Sequence, residues 1–534
     1  MFRQFHALTR RQALLGAGAF GGASALAAAM PALADAPEGF DALVDRGLAL
    51  FGVPGASVAV VENGQVVRAR GYGVRRLGAA GGVDETTAFP IASLTKAFTA
   101  AAIAVLIDEG KLAWEDKVAD RLPGFQLHDP VATREMTVAD LLCHRSGLGL
   151  GEGDLMLFPA SDITRPELVG KLRYLKPASE FRSGFAYDNV LFIVAGELIA
   201  AVSGQPWEDF VQARLLTPLG MVDSAASGGR LRGQNHVDFH ARLDGTIRGT
   251  GRLQPLPVTP ASDLANPAGG VWSSARDMAR WMNVQLALGK TPEGRRLWSE
   301  ANARRMWTPL TVVEARVEPV KPETEPHFML TALGWAVLDY RGTPLVMHAG
   351  DLPGACCRLM LVPSRNLGLC ILLNNEDETL HEALAYTILD HALGLPTRDY
   401  VGEGKAHDDA RAVRMVARAQ KSKLKRPANA AAPKAPLSAY AAVYRSPWYG
   451  DVRVLLDGTG LRVDFTRTPS MKGGLEPWDG EMFLTRFGDR DVENAFMTFT
   501  RDASGRIDGA TMKAASPMAD FSYDYQDLEL KRVG

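Results

Sequence analysis

Cysteine is scarce in this chain, which has four cysteines among 534 residues: Cys143, Cys356, Cys357 and Cys370. Four are too few for a disulfide scaffold, and their spacing is not that of a metal site. Cys356 and Cys357 are adjacent, so on a strand they would point to opposite faces and would not bind one metal together. We therefore expect buried structural thiols, no metal and no cofactor, and we leave any disulfide pairing open.

An excess of either charge is also missing. The 59 Lys and Arg residues nearly balance the 61 Asp and Glu residues, for a formal net charge of -2. A domain that binds nucleic acid usually carries a basic patch or a basic balance. The composition therefore gives no sign of a nucleic-acid partner, and the length allows a large core and more than one domain.

Long apolar runs are missing beyond the first 34 residues. There, Arg10-Arg11 precedes an uncharged, Gly- and Ala-rich stretch that ends in Ala32-Leu33-Ala34. This pattern predicts a twin-arginine export signal over residues 1–34, cleaved near Asp35, and hence a periplasmic protein. A transmembrane anchor is the alternative, but such a stretch makes a poor span. We expect no stable membrane anchor after cleavage.

The order of secondary-structure signals predicts an α+β fold for residues 35–398. Asn63-Gly64, between two β-rich runs, indicates a hairpin. A helical middle section follows, strands then return, and a final helix ends the region. We expect one antiparallel sheet with helices packed beside it. Helices are predicted at 97–109, 191–202, 274–288 and 378–393, and strands at 56–61, 65–69, 334–339, 345–348, 356–362 and 367–374.

The composition changes at about residue 399. Residues 399–436 are rich in Lys, Arg, Ala and Pro, which indicates a partly helical linker that continues into a coil. Beyond it, period-two alternation with turn signals predicts a small antiparallel β-barrel-like domain over residues 437–534. Its strands are predicted at 452–456, 461–465, 496–500 and 521–530, and no cluster of His, Cys or carboxylates suggests chemistry of its own.

Ser93-Leu94-Thr95-Lys96 stands directly before the predicted helix at 97–109. A serine one helical turn before a lysine places a nucleophile and a potential base on one helix face, near the positive end of the helix dipole. This arrangement suits acyl transfer. Ser422 and Lys425 have the same spacing, but they lie in the basic, Ala- and Pro-rich stretch, where a solvated linker is the better interpretation.

Two further triplets follow in the chain, Tyr187-Asp188-Asn189 and His348-Ala349-Gly350. In this order and context, the chain resembles the penicillin-recognising serine hydrolases, which include class C β-lactamases, D,D-peptidases, D-aminopeptidases and related esterases. The resemblance covers roughly residues 40–395 and implies a β-lactamase-like sheet flanked by helices, with a helical subdomain. Supporting phrases are Gly52-Val53-Pro54-Gly55, Leu141-Leu142-Cys143-His144-Arg145-Ser146-Gly147-Leu148, Pro218-Leu219-Gly220-Met221 and Ala268-Gly269-Gly270.

The resemblance implies three catalytic residues. Ser93 would be the nucleophile, Lys96 its activating partner, and Tyr187 the phenol that relays protons to and from the serine and the leaving group. A serine hydroxyl is a poor nucleophile until a neighbouring base takes its proton, which agrees with these roles. Either lysine or a phenolate could be that base, and the sequence leaves the choice open.

The resemblance also implies four substrate-binding residues. Asn189 would support Lys96 and hold a substrate amide. His348 would begin the strand that lines the far side of the cleft, and Gly350 would allow close approach of the backbone to the ligand. The oxyanion hole would be formed by the backbone N–H groups of Ser93 and Asp351.

Two neighbouring polar residues are assigned structural positions instead. His144 lies within one of the supporting phrases, so we expect it to be a packing residue rather than a catalytic base. Asp188 is expected to face solvent or a neighbouring backbone group.

One departure from the family bears on substrate choice. True β-lactamases of this kind carry Lys-Thr-Gly where this chain has His348-Ala349-Gly350, so a titratable imidazole replaces a cation suited to a β-lactam carboxylate. His-x-Gly and an appended β-barrel are more like the peptidase and esterase branches, in which the added domain borders the cleft or mediates assembly.

We therefore expect a periplasmic serine hydrolase that cleaves short peptides, including those with D- or non-standard residues, through an acyl-Ser93 intermediate. Linearised microcystin is one candidate substrate. A carboxylic-ester hydrolase is the second hypothesis and a β-lactamase the third, and a non-catalytic sensor that stays acylated is the alternative of another class. Loops at 149–177 and 230–264 would build the acyl pocket, and a homo-oligomer is left open.

Overall fold

The computed structural model describes residues 37–256, 262–316, 324–421, 425–516 and 519–533. The predicted export signal, residues 1–34, and Ser422 lie outside these ranges. Within them the chain forms an α+β part followed by a closed β-barrel, so the predicted fold class is confirmed.

The strands belong to one large sheet, one barrel and two short pairs. In chain order they are β1 Gly55–Glu62, β2 Gln65–Gly73, β3 Phe89–Pro90, β4 His240–Arg242, β5 Leu253–Pro255, β6 Trp272–Ser273, β7 Thr311–Ala315, β8 Phe328–Thr331, β9 Ala336–Tyr340, β10 Thr343–Leu352, β11 Ala355–Val362, β12 Leu367–Leu373, β13 Ala442–Ser446, β14 Gly450–Asp457, β15 Gly460–Phe465, β16 Lys472–Asp479, β17 Met482–Phe487, β18 Ala495–Arg501, β19 Ile507–Ala514 and β20 Glu529–Val533.

The α-helices lie mostly between the first and the later strands of the large sheet. In chain order they are α1 Phe40–Phe51, α2 Thr95–Asp108, α3 Val118–Arg121, α4 Pro130–Glu135, α5 Arg165–Lys171, α6 Val190–Ser203, α7 Trp207–Val211, α8 Asn266–Gly269, α9 Ala275–Leu286, α10 Glu300–Met306, α11 Glu378–Leu393, α12 Tyr400–Lys421 and α13 Leu437–Tyr440. Among the described residues, no single helix is long and apolar enough to cross a membrane, and only α6 with 207–216, a pair bent by 75°, passes that test together.

The large sheet is antiparallel, in the order β2-β1-β12-β11-β10-β9-β8-β7. The predicted hairpin forms its first pair, and the turn residues Asn63 and Gly64 both have positive φ, as a type I′ turn requires. Neighbouring β1 residues belong to two different cores. Val58 packs with α1 and α11, whereas Ala59 packs with the helices that lie between β3 and β7 in the chain, which we call the helical part. Because both faces are covered, the central strands are almost wholly apolar.

Helix α2 runs through the middle of the helical part. It is rich in alanine, which favours a helix and allows close approach by its neighbours α6 and α8. Its residues from Thr95 to Leu106 are buried on every side. The chain therefore places the Ser93 motif at the start of a helix that is surrounded by protein.

The predicted linker begins with a long helix that packs on the α+β part. Helix α12 lies against α1 and α11, and Tyr400 at its start donates a hydrogen bond of 2.6 Å to the buried carboxylate of Asp390. Tyr340 on β9 donates to the same carboxylate at 2.7 Å. Residues 425–436 then form the coil that leads to the barrel.

The C-terminal domain is a closed barrel of β13 to β20, with successive strands antiparallel. The predicted strand at 521–530 is wrong, because only β20 is extended there and residues 519–528 form a loop with one 3-10 turn. The alternation of aromatic residues in this segment serves a different purpose. Tyr523 and Tyr525 donate hydrogen bonds to the backbone carbonyls of Asp491 and Glu493 and so attach the loop to the barrel.

Replacing Tyr400 tests whether α12 is part of the core of the α+β part. We expect Tyr400→Phe to lower the free energy of unfolding by about 1.5–3 kcal/mol, because the buried Asp390 carboxylate loses a hydrogen-bond donor. The measurement is urea unfolding followed by circular dichroism, with Tyr174→Phe, a change at a half-exposed tyrosine, as the control. Equal unfolding curves for the two variants would show that α12 is only a tether.

Candidate active site

The Ser93 turn is held in an uncommon backbone conformation. Strand β3 pairs with β6, and a 3-10 turn at Ala92–Leu94 then leads into α2. Ala92 has φ of 43°, a value that few residues other than glycine adopt. Strain of this kind persists only where the surrounding structure enforces it. Here the turn places the Ser93 side chain, which is partly exposed, at the edge of the helical part.

Lys96 lies one turn along α2 and has no solvent exposure. Its Nζ donates hydrogen bonds to Ser93 Oγ at 3.1 Å, to Asn189 Oδ1 at 2.8 Å and to the carbonyl oxygen of Ala268 at 3.0 Å. Burial lowers the pKa of this amine to about 7, although Asp154 and Asp188 act in the opposite direction. Near neutral pH, Lys96 can therefore lose a proton and offer its lone pair to Ser93.

Tyr187 approaches the same serine from the other side. Its hydroxyl group donates a hydrogen bond of 2.9 Å to Ser93 Oγ, and its ring stacks on His144 with 4.3 Å between ring centroids. Burial raises the pKa of the Tyr187 hydroxyl above its ordinary value. The phenol therefore keeps its proton at neutral pH and can act as a donor.

Strand β10 forms the other wall of the cleft. A Cβ atom added to Gly350 would lie 2.8 Å from the carbonyl oxygen of Ile91 and 2.9 Å from Cβ of Ala92, so only glycine lets this strand lie so close to the Ser93 turn. Asp351 follows on the same strand and pairs with Cys356. Strand β9 pairs with β10 only as far as Met347, so it does not cover residues 348–352.

His348 faces this cleft as a neutral imidazole. Its ring centroid lies 6.5 Å from that of Tyr187. Burial and the nearby Lys96 lower the pKa of His348 to about 3. Nδ1 is hydrogen-bonded to the carbonyl of Ala349, which makes Nδ1 the donor and leaves a lone pair on Nε2. The residue can accept a hydrogen bond from a ligand but supplies no positive charge.

Ser93 is hydrogen-bonded to Lys96 and Tyr187, and this arrangement agrees with the result of comparing the chain with known protein families. The family model Beta-lactamase matches residues 40–393. The chain belongs to the beta-lactamase family. A second model, the domain of unknown function DUF3471, matches residues 426–532 and so covers the barrel.

Curated relatives of this beta-lactamase family member include hydrolases and penicillin-binding proteins. The unguisins hydrolase ungD of Aspergillus violaceofuscus (strain CBS 115571) is 26% identical over 454 residues, which cover 80% of this chain and 78% of the relative. Penicillin-binding protein 4 of Amycolatopsis lactamdurans is 29% identical over 348 residues, which cover 63% of this chain and 84% of that protein.

Solved structures share the fold. The octameric penicillin-binding protein homologue from Pyrococcus abyssi has a TM-score of 0.58 at 20% identity and covers 93% of this chain and 99% of its own. A class C beta-lactamase has a TM-score of 0.53 at 21% identity and covers 66% of this chain and 95% of its own. At this identity the likeness concerns the fold alone.

The structure brings Ser93, Lys96, Tyr187 and Asn189 together by hydrogen bonds, with His348 and Gly350 across the cleft. The catalytic and binding roles assigned to these residues stay predictions, as does the use of the Asp351 N–H in an oxyanion hole.

His144 and Asp188, beside the site, are both buried and held by hydrogen bonds. His144 is buried, and its Nδ1 accepts a hydrogen bond from the backbone N–H of Asp188 at 3.2 Å, so it is not placed to act on Ser93. The expectation that the Asp188 side chain faces solvent or a neighbouring backbone group is wrong, because this residue has no exposure and its carboxylate accepts a hydrogen bond from the side chain of Ser146. Its charge instead helps to balance Lys96.

Sequence reasoning missed three groups that complete the site. The carbonyl of Ala268, on α8, accepts one of the Lys96 hydrogen bonds. Asp154 accepts a hydrogen bond of 2.9 Å from Asn189 Nδ2, and Ser522 of the barrel donates to the same carboxylate oxygen at 2.9 Å. The phrase Ala268-Gly269-Gly270 was a signal for the first of these, whereas nothing in the sequence singled out Asp154 or Ser522.

The thiols behave as expected, because all four cysteines are buried and unpaired. Cys356 lies beside His381 and Asp351, and their potential ligand atoms are within 4.8 Å of one another. His381 Nδ1, however, accepts a hydrogen bond from Arg358 Nε, so its Nε2 carries the proton and is unavailable to a metal. This cluster is therefore a poor metal site.

The pKa of Lys96 lies below that of Tyr187, and this order predicts that Lys96 takes the Ser93 proton. The rate at which a serine-directed phosphonate phosphonylates Ser93 should rise as pH increases through about 7, because burial favours the neutral Lys96 amine above that pH. Tyr187→Phe should lower the rate but keep this midpoint. A midpoint above about pH 10, or one that disappears in Tyr187→Phe, would assign the base role to the phenolate instead.

Proposed function

We propose that this member of the beta-lactamase family hydrolyses amide bonds of short peptides, including peptides with D- or non-standard residues, through an acyl-Ser93 intermediate. The observation that carries the proposal is that Ser93 Oγ lies within hydrogen-bond distance of both Lys96 Nζ, at 3.1 Å, and the Tyr187 hydroxyl, at 2.9 Å. A nucleophile between a depressed-pKa amine and a protonated phenol has both an acceptor and a donor for protons.

The geometry supports a two-step reaction. The neutral Lys96 amine takes the Ser93 proton while Oγ attacks the substrate carbonyl carbon, and backbone N–H groups, including that of Ser93, stabilise the resulting oxyanion. The C–N bond then breaks as Tyr187 gives its proton to the leaving nitrogen, and the proton that Lys96 took from Ser93 passes to the Tyr187 oxygen, so that Lys96 is again a neutral base. A water molecule, deprotonated by the same base, attacks the acyl-serine ester and releases the free enzyme with the carboxylate product.

The neutral state of His348 favours peptides over β-lactam antibiotics. A β-lactam carboxylate needs a cation at this strand, and the imidazole with its lone pair on Nε2 offers an acceptor for a peptide N–H instead. Support also comes from a relative that matches four fifths of this chain and is called an unguisins hydrolase.

The ester-hydrolase hypothesis stays as the second candidate. The same nucleophile and oxyanion donors would cleave an ester, whose alkoxide leaving group needs less protonation than an amine. Tyr187, held as a proton donor by its raised pKa, favours the amide reaction, for which leaving-group protonation matters more.

A panel of substrates tests the proposal. The full-length mature protein and Ser93→Ala are incubated with short L- and D-peptides, linearised microcystin, p-nitrophenyl esters and a chromogenic cephalosporin. We expect peptide cleavage that falls by at least about a thousandfold in Ser93→Ala, because the variant has no nucleophile.

Each other result has a distinct meaning. Cleavage of esters alone would support the esterase hypothesis, and cephalosporin turnover would support a β-lactamase. An acyl adduct on Ser93 that persists in the mass spectrum without turnover would identify a sensor, and peptide cleavage retained in Ser93→Ala would contradict the mechanism.

We also propose export to the periplasm by the twin-arginine route, which is supported by Arg10-Arg11 and the small-residue cleavage pattern. In a Gram-negative host, replacing both arginines by lysine should keep the protein in the cytoplasmic fraction, whereas Arg3→Lys, outside the pair, should leave export unchanged. Equal export of both variants, measured by fractionation and immunoblotting, would overturn this proposal.

A further inference from the structure

A loop of the barrel is connected to the catalytic lysine by hydrogen bonds. We call residues 519–528, between β19 and β20, the barrel loop. In it, Ser522 Oγ donates to Asp154 Oδ2 at 2.9 Å, Asn189 Nδ2 donates to the same oxygen at 2.9 Å, and Asn189 Oδ1 accepts from Lys96 Nζ at 2.8 Å. The path from the second domain to Lys96 therefore crosses two side chains.

The barrel loop is fixed where it meets this path. The buried carboxylate of Asp524 accepts hydrogen bonds from the backbone N–H groups of Gly153 at 2.6 Å and Leu155 at 3.0 Å, the two neighbours of Asp154. Phe521 packs edge-on to Tyr187, with 6.5 Å between ring centroids. The barrel thus positions both Ser522 and the turn that carries Asp154.

Asp154 is a buried carboxyl group whose charge depends on its donors. It has no solvent exposure, and its Oδ1 has no hydrogen-bond partner among the residues that the structure describes. Burial raises its pKa to about 7, while the hydrogen bonds from Asn189 and Ser522 and the charge of Lys96 act in the opposite direction. A donor lost from such a group shifts it towards the neutral form.

Asp154 and Lys96 titrate in the same range, so each affects the charge of the other. An ionised Asp154 favours the protonated, inactive amine, and a neutral Asp154 favours the free amine. The pair is also faced by other titratable groups from the surrounding elements, which are Asp188, His144, Tyr187, His348 and Asp524.

We propose that Ser522 of the barrel loop is a positioning residue of the hydrolase, which favours the charged form of Asp154 by its hydrogen bond and thereby helps to set the pH at which Lys96 becomes a free base. The proposal rests on the Ser93 chemistry proposed above, and it assigns the barrel a part in the acylation step. The Ser522 hydroxyl does not touch substrate and acts only through Asp154 and Asn189.

The direction of the effect follows from the hydrogen bonds. Without the Ser522 hydroxyl, the Asp154 carboxylate is less stable, so the neutral carboxyl form persists to higher pH. Lys96 then has a weaker counter-charge and loses its proton more easily. The acidic limb of the rate profile should therefore move to lower pH, and Asp154→Asn, which removes the charge but keeps the shape, should move it further.

The experiment measures the second-order rate constant for acylation of Ser93 by a p-nitrophenyl ester between about pH 5 and about pH 10, with the full-length mature protein. We expect the acidic midpoint to fall by about half a pH unit in Ser522→Ala and by about one unit in Asp154→Asn. Ser522→Thr, which keeps a hydroxyl, should restore the wild-type midpoint.

A matched control comes from another serine of the same barrel. Ser504 donates to Asp502 in the exposed turn before β19, so Ser504→Ala should leave the profile unchanged. A lower rate at every pH with an unmoved midpoint in Ser522→Ala would show a merely structural contact and overturn the inference, as would a midpoint that moves upward.

The same experiment separates a failure of the proposed Ser93 chemistry from a failure of the proposed role of Ser522. If acylation of the wild-type protein does not depend on Ser93, as judged with Ser93→Ala, the proposed chemistry is wrong. If acylation depends on Ser93 but the midpoint is the same in all Ser522 and Asp154 variants, the chemistry stands and the role of the barrel loop is wrong.

Discussion

The removal of one amine, Lys96 Nζ, from water is the constraint on which the rest of the site depends. An uncompensated buried ammonium is costly, so the protein surrounds it with three hydrogen-bond acceptors and places two carboxylates nearby. Burial favours the neutral amine, and Asp154 and Asp188 favour the charged one. Burial has the larger effect and lowers the pKa of Lys96 to about 7, so near neutral pH a small change at either carboxylate alters how readily Lys96 accepts the Ser93 proton.

The fold makes that burial achievable. Lys96 occupies the first turn of α2, which is enclosed by α6 and α8, while Ser93 remains at the rim because the backbone bends sharply at Ala92. Strand β10 can close the other side since Gly350 has no side chain to meet Ile91 and Ala92. One face of the cleft therefore comes from the helical part and the other from the sheet on which it packs.

Buried hydrogen bonds fix the barrel loop, while ion pairs such as those of Arg467 with Asp162 and Glu167 also join the barrel to the rest of the chain. The ion pair between Lys176 and Glu529 joins the two parts of the chain, but both side chains are mostly exposed, and such pairs contribute little stability. Asp524, by contrast, is fully buried and satisfies two backbone N–H groups of the hydrolase part. Desolvated hydrogen bonds of this kind depend strongly on geometry, so they define where the barrel loop lies.

Local patterns in the sequence determined the elements of the fold and the core of the candidate site. The period of apolar residues predicted the hairpin at Asn63-Gly64, helices such as α2 and α11, and the central strands, and the three-residue spacing placed Ser93 and Lys96 on one helix face. These features depend on residues close together in the chain, and the motif order then linked them to Tyr187 and His348.

Only the tertiary structure decided which isolated polar residues complete the site. Asp154 lies 35 residues from Asn189 and 368 from Ser522, and Ala268 lies 172 residues from Lys96. A single aspartate or serine in a loop has no periodic pattern, and its charge state depends on packing that removes it from water. For the same reason the barrel loop was mistaken for a strand, since its alternating aromatic residues indicate burial without saying against which surface.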